Sequence, residues 1–160
     1  IAAFGWMMIP FLAIHNFRAW WQLTSANYIE HYGLLRQKEP NGKYERCQPH
    51  HSWNSNHKYT NLVLFHLERH SDHHAHPTRR YQSLRNFKDV PRLPNGYNGM
   101  FPLACVPPLW FRVMDPRLMT LPHIDGDITQ VNVDPDKRDA LYAKYGVAGL
   151  NENMPATESA

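Results

Sequence analysis

The chain has 160 residues, 42% of them hydrophobic, and a formal net charge of +3. That is enough for one core, while the charge is too slight to argue for a nucleic-acid surface. Cys47 and Cys105 stand far apart with no C-x-x-C pair, which excludes a disulfide framework and a cysteine-held zinc or iron–sulfur centre; the outlier is histidine, at eleven residues.

In chain order, Ile1 to Ile14 is apolar and uncharged, but a bilayer needs ~20 such residues. Extension to Leu23 reaches that length and takes in His15 and Arg18. An arginine at mid-membrane costs roughly 2.5–3.5 kcal/mol, less if it snorkels to an interface. Trp20 and Trp21 beside Arg18 have the composition of an interfacial belt. A membrane span and one buried helix are both open readings. The first residue is Ile1, and no basic stretch or cleavage site accompanies the apolar run. The sequence therefore reads as beginning part-way into a longer protein, not at a signal peptide.

The helix is expected to continue to Leu35, with Thr24, Asn27 and His31 on one face. Gln37 to Tyr44 is a polar turn centred on Asn41-Gly42, and QPHHSWNSNHK (Gln48 to Lys58) is a loop. Asn61 to His76 reads as one helix. Turn signals crowd KDVPRLPNGYNGMF, from Lys88 to Phe101. Met100 to Met114 is apolar, yet Pro102, Pro107 and Pro108 rule out a regular spanning helix, so a surface or interfacial segment is expected. Asp134 to Tyr145 suits a short exposed helix, and the polar tail from Asn151 suits disorder. The segments expected are thus 1–35, 36–60, 61–85, 86–150 and 151–160.

Five histidines lie between His66 and His76. On a helix, at about 100° per residue, His66, His70, His73 and His74 share an arc of roughly 100°, and His76 leaves it ahead of Pro77. Clustered neutral imidazoles suit zinc, copper, iron or nickel. No H-E-x-x-H occurs, nor the Glu-x-x-His of carboxylate di-iron bundles. So many nitrogens, with more in reach, suggest more than one metal. His31, near the end of the first helix, can join the group if the two helices pack. Asn27 shares its face, and Glu30, Glu68 and Asp72 can act as acceptors that fix ring orientation. Ion pairing of Glu68 or Asp72 with Arg69 or Arg79 is the competing reading. Arg79, Arg80 and Arg85 form a basic edge, either a dock for an acidic partner or a solvated flank. His50, His51 and His57 read as hydrogen-bonding loop residues, and His15 and His123 as structural.

The words NYIEHYGLLR, HHSWNSNH, LERHSDHHAHPTRRYQSLR and LPNGYNGMF, in that order, resemble the C-terminal part of the membrane-bound alkane 1-monooxygenases. The likeness runs from about Gly5 to Tyr145. It implies a mainly α chain, the C-terminal part of a six-helix integral-membrane histidine-box di-iron fold: one membrane helix plus cytosolic helices and loops. It implies two non-haem irons with His31, His70, His73 and His74 among their ligands, facing the cytosol from the inner membrane. It also implies terminal hydroxylation of medium- or long-chain alkanes with O₂, in contact with membrane lipid. The electrons would come from rubredoxin, reduced by an NADH-dependent reductase. The family's other two histidine boxes, on earlier helices, do not occur here in their expected place, so the chain is expected to be inactive alone. A related membrane di-iron hydroxylase or desaturase acting on fatty-acyl or alkyl-aromatic substrates, or a non-enzymatic zinc- or copper-binding module, are the alternatives.

Overall fold

The structure is a computed structural model that describes residues 4–145. It is helical, with no strand among the described residues: α1 Met8–His31, α2 Lys58–Val63, α3 His70–Ala75, α4 Tyr97–Ala104, α5 Pro107–Met119 and α6 Arg138–Lys144. Single 3-10 turns lie at Pro49–His51, Tyr81–Ser83, Ile128–Gln130 and Pro135–Lys137. The expected disordered tail from Asn151 lies outside the described residues.

Helix α1 has two halves of different character. Its first part exposes Ile9, Phe11, Leu12, Ile14, Phe17, Trp20 and Leu23, while Ala26, Ile29 and Glu30 near its end are buried. At 24 residues it is about 36 Å long. No helix among the described residues is both long and apolar enough to cross a membrane. His15, Asn16, Arg18 and Gln22 dilute the apolar run of α1. The helix also stops at His31, short of Leu35. Gly33 has φ +70, and a β-carbon there would run into the Leu118 side chain, so the chain turns at a residue that only glycine fills without strain.

That turn carries the chain into the core. Ile29 and Leu34 pack with Trp53, Tyr97 and Met100, with Trp110, Met114 and Leu118 of α5, and with Ile124, Ile128, Val131 and Tyr142. Met100 to Met114 is a pair of packed helices, with Met100, Trp110 and Met114 almost wholly enclosed and Val106, Leu109 and Phe111 exposed. Pro102 sits inside α4, and Pro107 and Pro108 open α5, where their missing N–H groups cost nothing. The 134–145 segment forms the turn and helix α6, with Tyr142 buried. The Asn41-Gly42 turn is as expected, Gly42 having φ +80 and Lys38 bridging Tyr44.

The single helix expected over Asn61–His76 is broken. Phe65 and His66 take φ 51 and 59, consecutive left-handed residues that end α2, and His66 N–H returns to the Asn61 carbonyl at 2.7 Å. Two such residues cost roughly 1–2 kcal/mol each. The reversal brings Glu68 Oε1 to the Tyr97 N–H at 2.7 Å and restarts the helix at His70.

Candidate metal centre

The loop before α2 is polar in sequence but buried in the fold. His51, Ser52, Trp53, Asn54 and Ser55 are all inaccessible. Trp53 donates its backbone N–H to the Glu30 carbonyl at 2.8 Å and its indole Nε1 to the Tyr32 carbonyl at 2.8 Å. The loop is thereby fixed along the end of α1. Asn54 then ties it to α3: its Oδ1 accepts from Ser71 N–H at 2.9 Å, and its Nδ2 donates to Ser71 Oγ at 2.6 Å. The ends of α1 and α3 come together across this loop.

At that junction three imidazoles converge. His70 Nε2 lies 2.8 Å from His74 Nε2 and 3.4 Å from His31 Nε2, and the three ligand atoms all fall within 4.8 Å of one another. His70 is buried, His31 half-buried and His74 exposed. His31 Nδ1 faces the His51 carbonyl at 3.1 Å. An imidazole that donates there leaves its Nε2 lone pair free, the arrangement a metal-binding histidine needs. Burial, reinforced by the neighbouring His74, His31 and His73, pushes His70 down to about 2. Burial with His31 and His73 also lowers His74. Neutral rings whose lone pairs face each other this closely need a shared proton or a cation between them. The donor set therefore fits an N-liganded transition metal.

A carboxylate stands behind the rings. Glu30 Oε2 is 3.3 Å from His70 Nε2, and Glu30 Oε1 accepts from Tyr97 O–H at 2.8 Å. Burial raises Glu30 to about 7, against the opposing effect of the Tyr97 bond. Glu68 faces away from the rings, with Oε1 accepting the N–H of Tyr97, the first residue of α4, at 2.7 Å. A carboxylate at a helix N-terminus is favourable. Its Oε2 is buried without a hydrogen-bond partner, as is His70 Nδ1. Beside His31 and His74, a cleft of about 380 Å³ is bounded by Leu34, Leu35, Arg36 and Tyr44.

The other sequence-derived candidates are distributed as follows. His73 is half-buried, its ring centroid 5.7 Å from His70 and 5.6 Å from His74, outside the converging trio. Asn27 is exposed, with no side-chain hydrogen bond among the described residues. Asp72 touches none of the three rings; it pairs with Arg79, Arg85 and His76. Arg80 is exposed. The break at Phe65 takes His66 off the His70 face and sets it near Tyr81, at 6.4 Å between ring centroids. That corrects the four-histidine arc. Tyr97 and Asn54 are the residues that sequence reasoning missed. Tyr97 stood inside the quoted motif LPNGYNGMF, but only the fold shows that its side chain and backbone serve two glutamates.

A family model for fatty acid desaturases matches residues 1–104. The chain is similar to alkane 1-monooxygenase 1 of Alcanivorax borkumensis, 60% identical over 150 residues, 93% of this chain and 36% of that protein. It is 56% identical to an alkane 1-monooxygenase of Ectopseudomonas oleovorans over 162 residues, 99% of this chain and 40% of that one. An alkane 1-monooxygenase of Pseudomonas putida is 56% identical over 146 residues, 91% of this chain and 36% of its own. The chain thus spans 36–40% of the length of these curated relatives. The resemblance read from the motifs is borne out, and the chain belongs to the fatty acid desaturase family.

Proposed function

We propose that this chain is the iron-holding C-terminal part of a membrane-bound enzyme that hydroxylates the terminal carbon of medium- or long-chain n-alkanes to 1-alkanols. The observation that carries the reading is the convergence of His31, His70 and His74, from the end of α1 and from α3, on one point. The identity to proteins named alkane 1-monooxygenase supports the substrate class. Iron bound there supplies the O₂ activation that a strong terminal C–H bond demands. His31, His70 and His74 would hold one ion, and His73, turned aside from them, would serve a second ion completed by ligands from outside these residues. Glu30 sets its carboxyl group beside His70, and Tyr97 keeps that group in place. The exposed apolar side chains around the first half of α1 support placement in the inner membrane, with the histidine end towards the cytosol. Electrons would arrive from rubredoxin and its NADH-dependent reductase, and Arg80 on the exposed flank is a candidate contact for that acidic donor.

The test is elemental analysis of the whole protein, purified in detergent, beside His70→Ala, with octane hydroxylation measured on both. About two irons per chain, lost together with the activity in the variant, is the expected result. One zinc or copper per chain and no O₂-dependent product would overturn the reading in favour of a metal-binding module.

A further inference from the structure

Helix α3 carries three of the histidines, yet it has six residues. Fewer than two turns do not persist alone, because nucleation is costly and few bonds follow it. Arg69 at its N-cap gives it no side-chain cap. His70 and His74 point into the site, so the helix can be held only through its remaining residues. Asp72 is one of them, and its side chain is completely buried.

An isolated carboxylate at that depth costs several kcal/mol, and here both oxygens are filled. Arg79 Nη1 donates to Asp72 Oδ1 at 2.6 Å and to Oδ2 at 2.5 Å. The Arg85 backbone N–H donates to Oδ2 at 2.8 Å, and its Nη2 to Oδ1 at 3.2 Å. His76 Nδ1 is 3.0 Å from Oδ1. These contacts hold Asp72 below the usual carboxylate range despite burial, which acts the other way. The segment from His76 to Arg85 therefore loops out through the turn Tyr81–Ser83 and closes back on the outer face of α3.

We propose that Asp72 is a positioning residue for the metal centre, locking the histidine helix in place by pinning Arg79 and the Arg85 backbone across its outer face. The inference rests on the metal-holding reading above. It reassigns two of the three arginines of the basic run: Arg79 is engaged inward and Arg85 is tied to Asp72 chiefly through its backbone, its side chain staying half exposed, while Arg80 makes no contact with Asp72. Asp72 touches no ligand ring, so its effect on the site passes through the helix. A slip of α3 by even 1 Å would spoil nitrogens that must meet at one ion.

The test uses the whole protein with cobalt(II) as probe, following affinity by competition and ligand geometry by the d–d absorption spectrum. Asp72→Asn is expected to weaken cobalt(II) binding by about 10–100-fold, the range for residues that support ligands, and to shift the d–d bands. Arg79→Gln should weaken it less. The double variant should be no worse than Asp72→Asn alone, since the two residues act as one unit. Arg80→Gln should bind as the wild type does. Wild-type affinity and spectrum in Asp72→Asn, or losses that multiply in the double variant, would overturn the proposal. Should Asp72→Asn not fold, Arg79→Gln against Arg80→Gln decides, and equal affinities overturn it. Should the wild type take up no cobalt, the metal reading itself falls. Amide exchange of residues 70–76 in the metal-free protein then judges the clamp, by faster exchange in Arg79→Gln than in Arg80→Gln.

Discussion

Replacing Asn54 by alanine should release α3 from the loop that braces it. Asn54 is buried and lies 17 positions before Ser71 in sequence. Its Oδ1 takes the Ser71 N–H, one of the first-turn donors that Arg69 leaves uncapped. It does so from another part of the chain, in place of the serine or aspartate that would serve at the N-cap position itself. Truncation orphans that buried N–H, at about 1–3 kcal/mol, and strips the Ser52 carbonyl of its donor, held at 2.7 Å. Ser71 Oγ keeps its bond to the Pro49 carbonyl, so that contact is spared. The sum is about 3 kcal/mol, which for a domain of this size lowers the melting temperature by about 6–12 °C. The assay is thermal unfolding of the whole protein by tryptophan fluorescence, with amide exchange of residues 70–75 followed by mass spectrometry. A shift under about 2 °C with unchanged exchange would refute the idea that α3 is capped from the loop.

Other perturbations test other joints. A β-carbon at Gly96 would fall well inside contact distance of Thr60 Oγ1 and 2.9 Å from His57 Cβ. Gly96→Ala should therefore destabilise by about 1–3 kcal/mol through overpacking, and Thr60→Ala in the same chain should recover part of the loss; a neutral single variant in thermal unfolding counts against this packing. Tyr97→Phe deprives the buried Glu30 Oε1 of its donor and should cost about 1–3 kcal/mol as a buried acceptor left unsatisfied, read from the same melts. Burial, with His50 second, pushes His51 down to about 4 from 6.5. Between those values the unfolded chain binds a proton that the folded one refuses. Stability is then greatest above pH 6.5 and falls by up to about 3 kcal/mol towards pH 4. His51→Gln should reduce that slope in melts taken from pH 4 to 7, the part that remains coming from His70, which burial also holds low.

What was legible in the sequence was the chemistry, and what was not was the path of the backbone. His31, His70, His73 and His74 could be named because the words around them are specific and because imidazoles at helical spacing have few uses. The helix that carried them was drawn too long. Leu62 to Leu67 has the apolar character of a continuing helix, and nothing in its local propensity announces left-handed residues at Phe65 and His66. The break is decided by tertiary gains: Glu68 reaching the N-terminus of α4, and Ser55 N–H reaching the Glu68 carbonyl at 2.9 Å. The same holds for the arginines. A basic run reads as a surface until the carboxylate it encloses is known, and Asp72 lies between two histidines where a ligand-supporting role was the nearer thought. Polar loops are read as exposed for want of partners, whereas HSWNS is buried because it makes its own hydrogen bonds to α1 and α3.

The polar density around these imidazoles carries the last step. Glu30, His51, Asn54, Glu68, His70, Ser71 and Asp72 are all buried within one small region, where burying polar groups without partners is costly. A packed apolar centre of the same volume would be the more stable choice on general grounds. Most of these groups are paired: Glu30 by Tyr97, Glu68 by the start of α4, Asp72 by two arginines, Asn54 by Ser71. The nitrogens of His31, His70 and His74 instead face one another, His70 Nε2 within hydrogen-bond distance of the other two. The paired groups set the positions of the ends of α1 and α3, and the three nitrogens are where that arrangement leaves coordination to be filled. Rigid support around a converging set of nitrogens is the organisation a metal site requires.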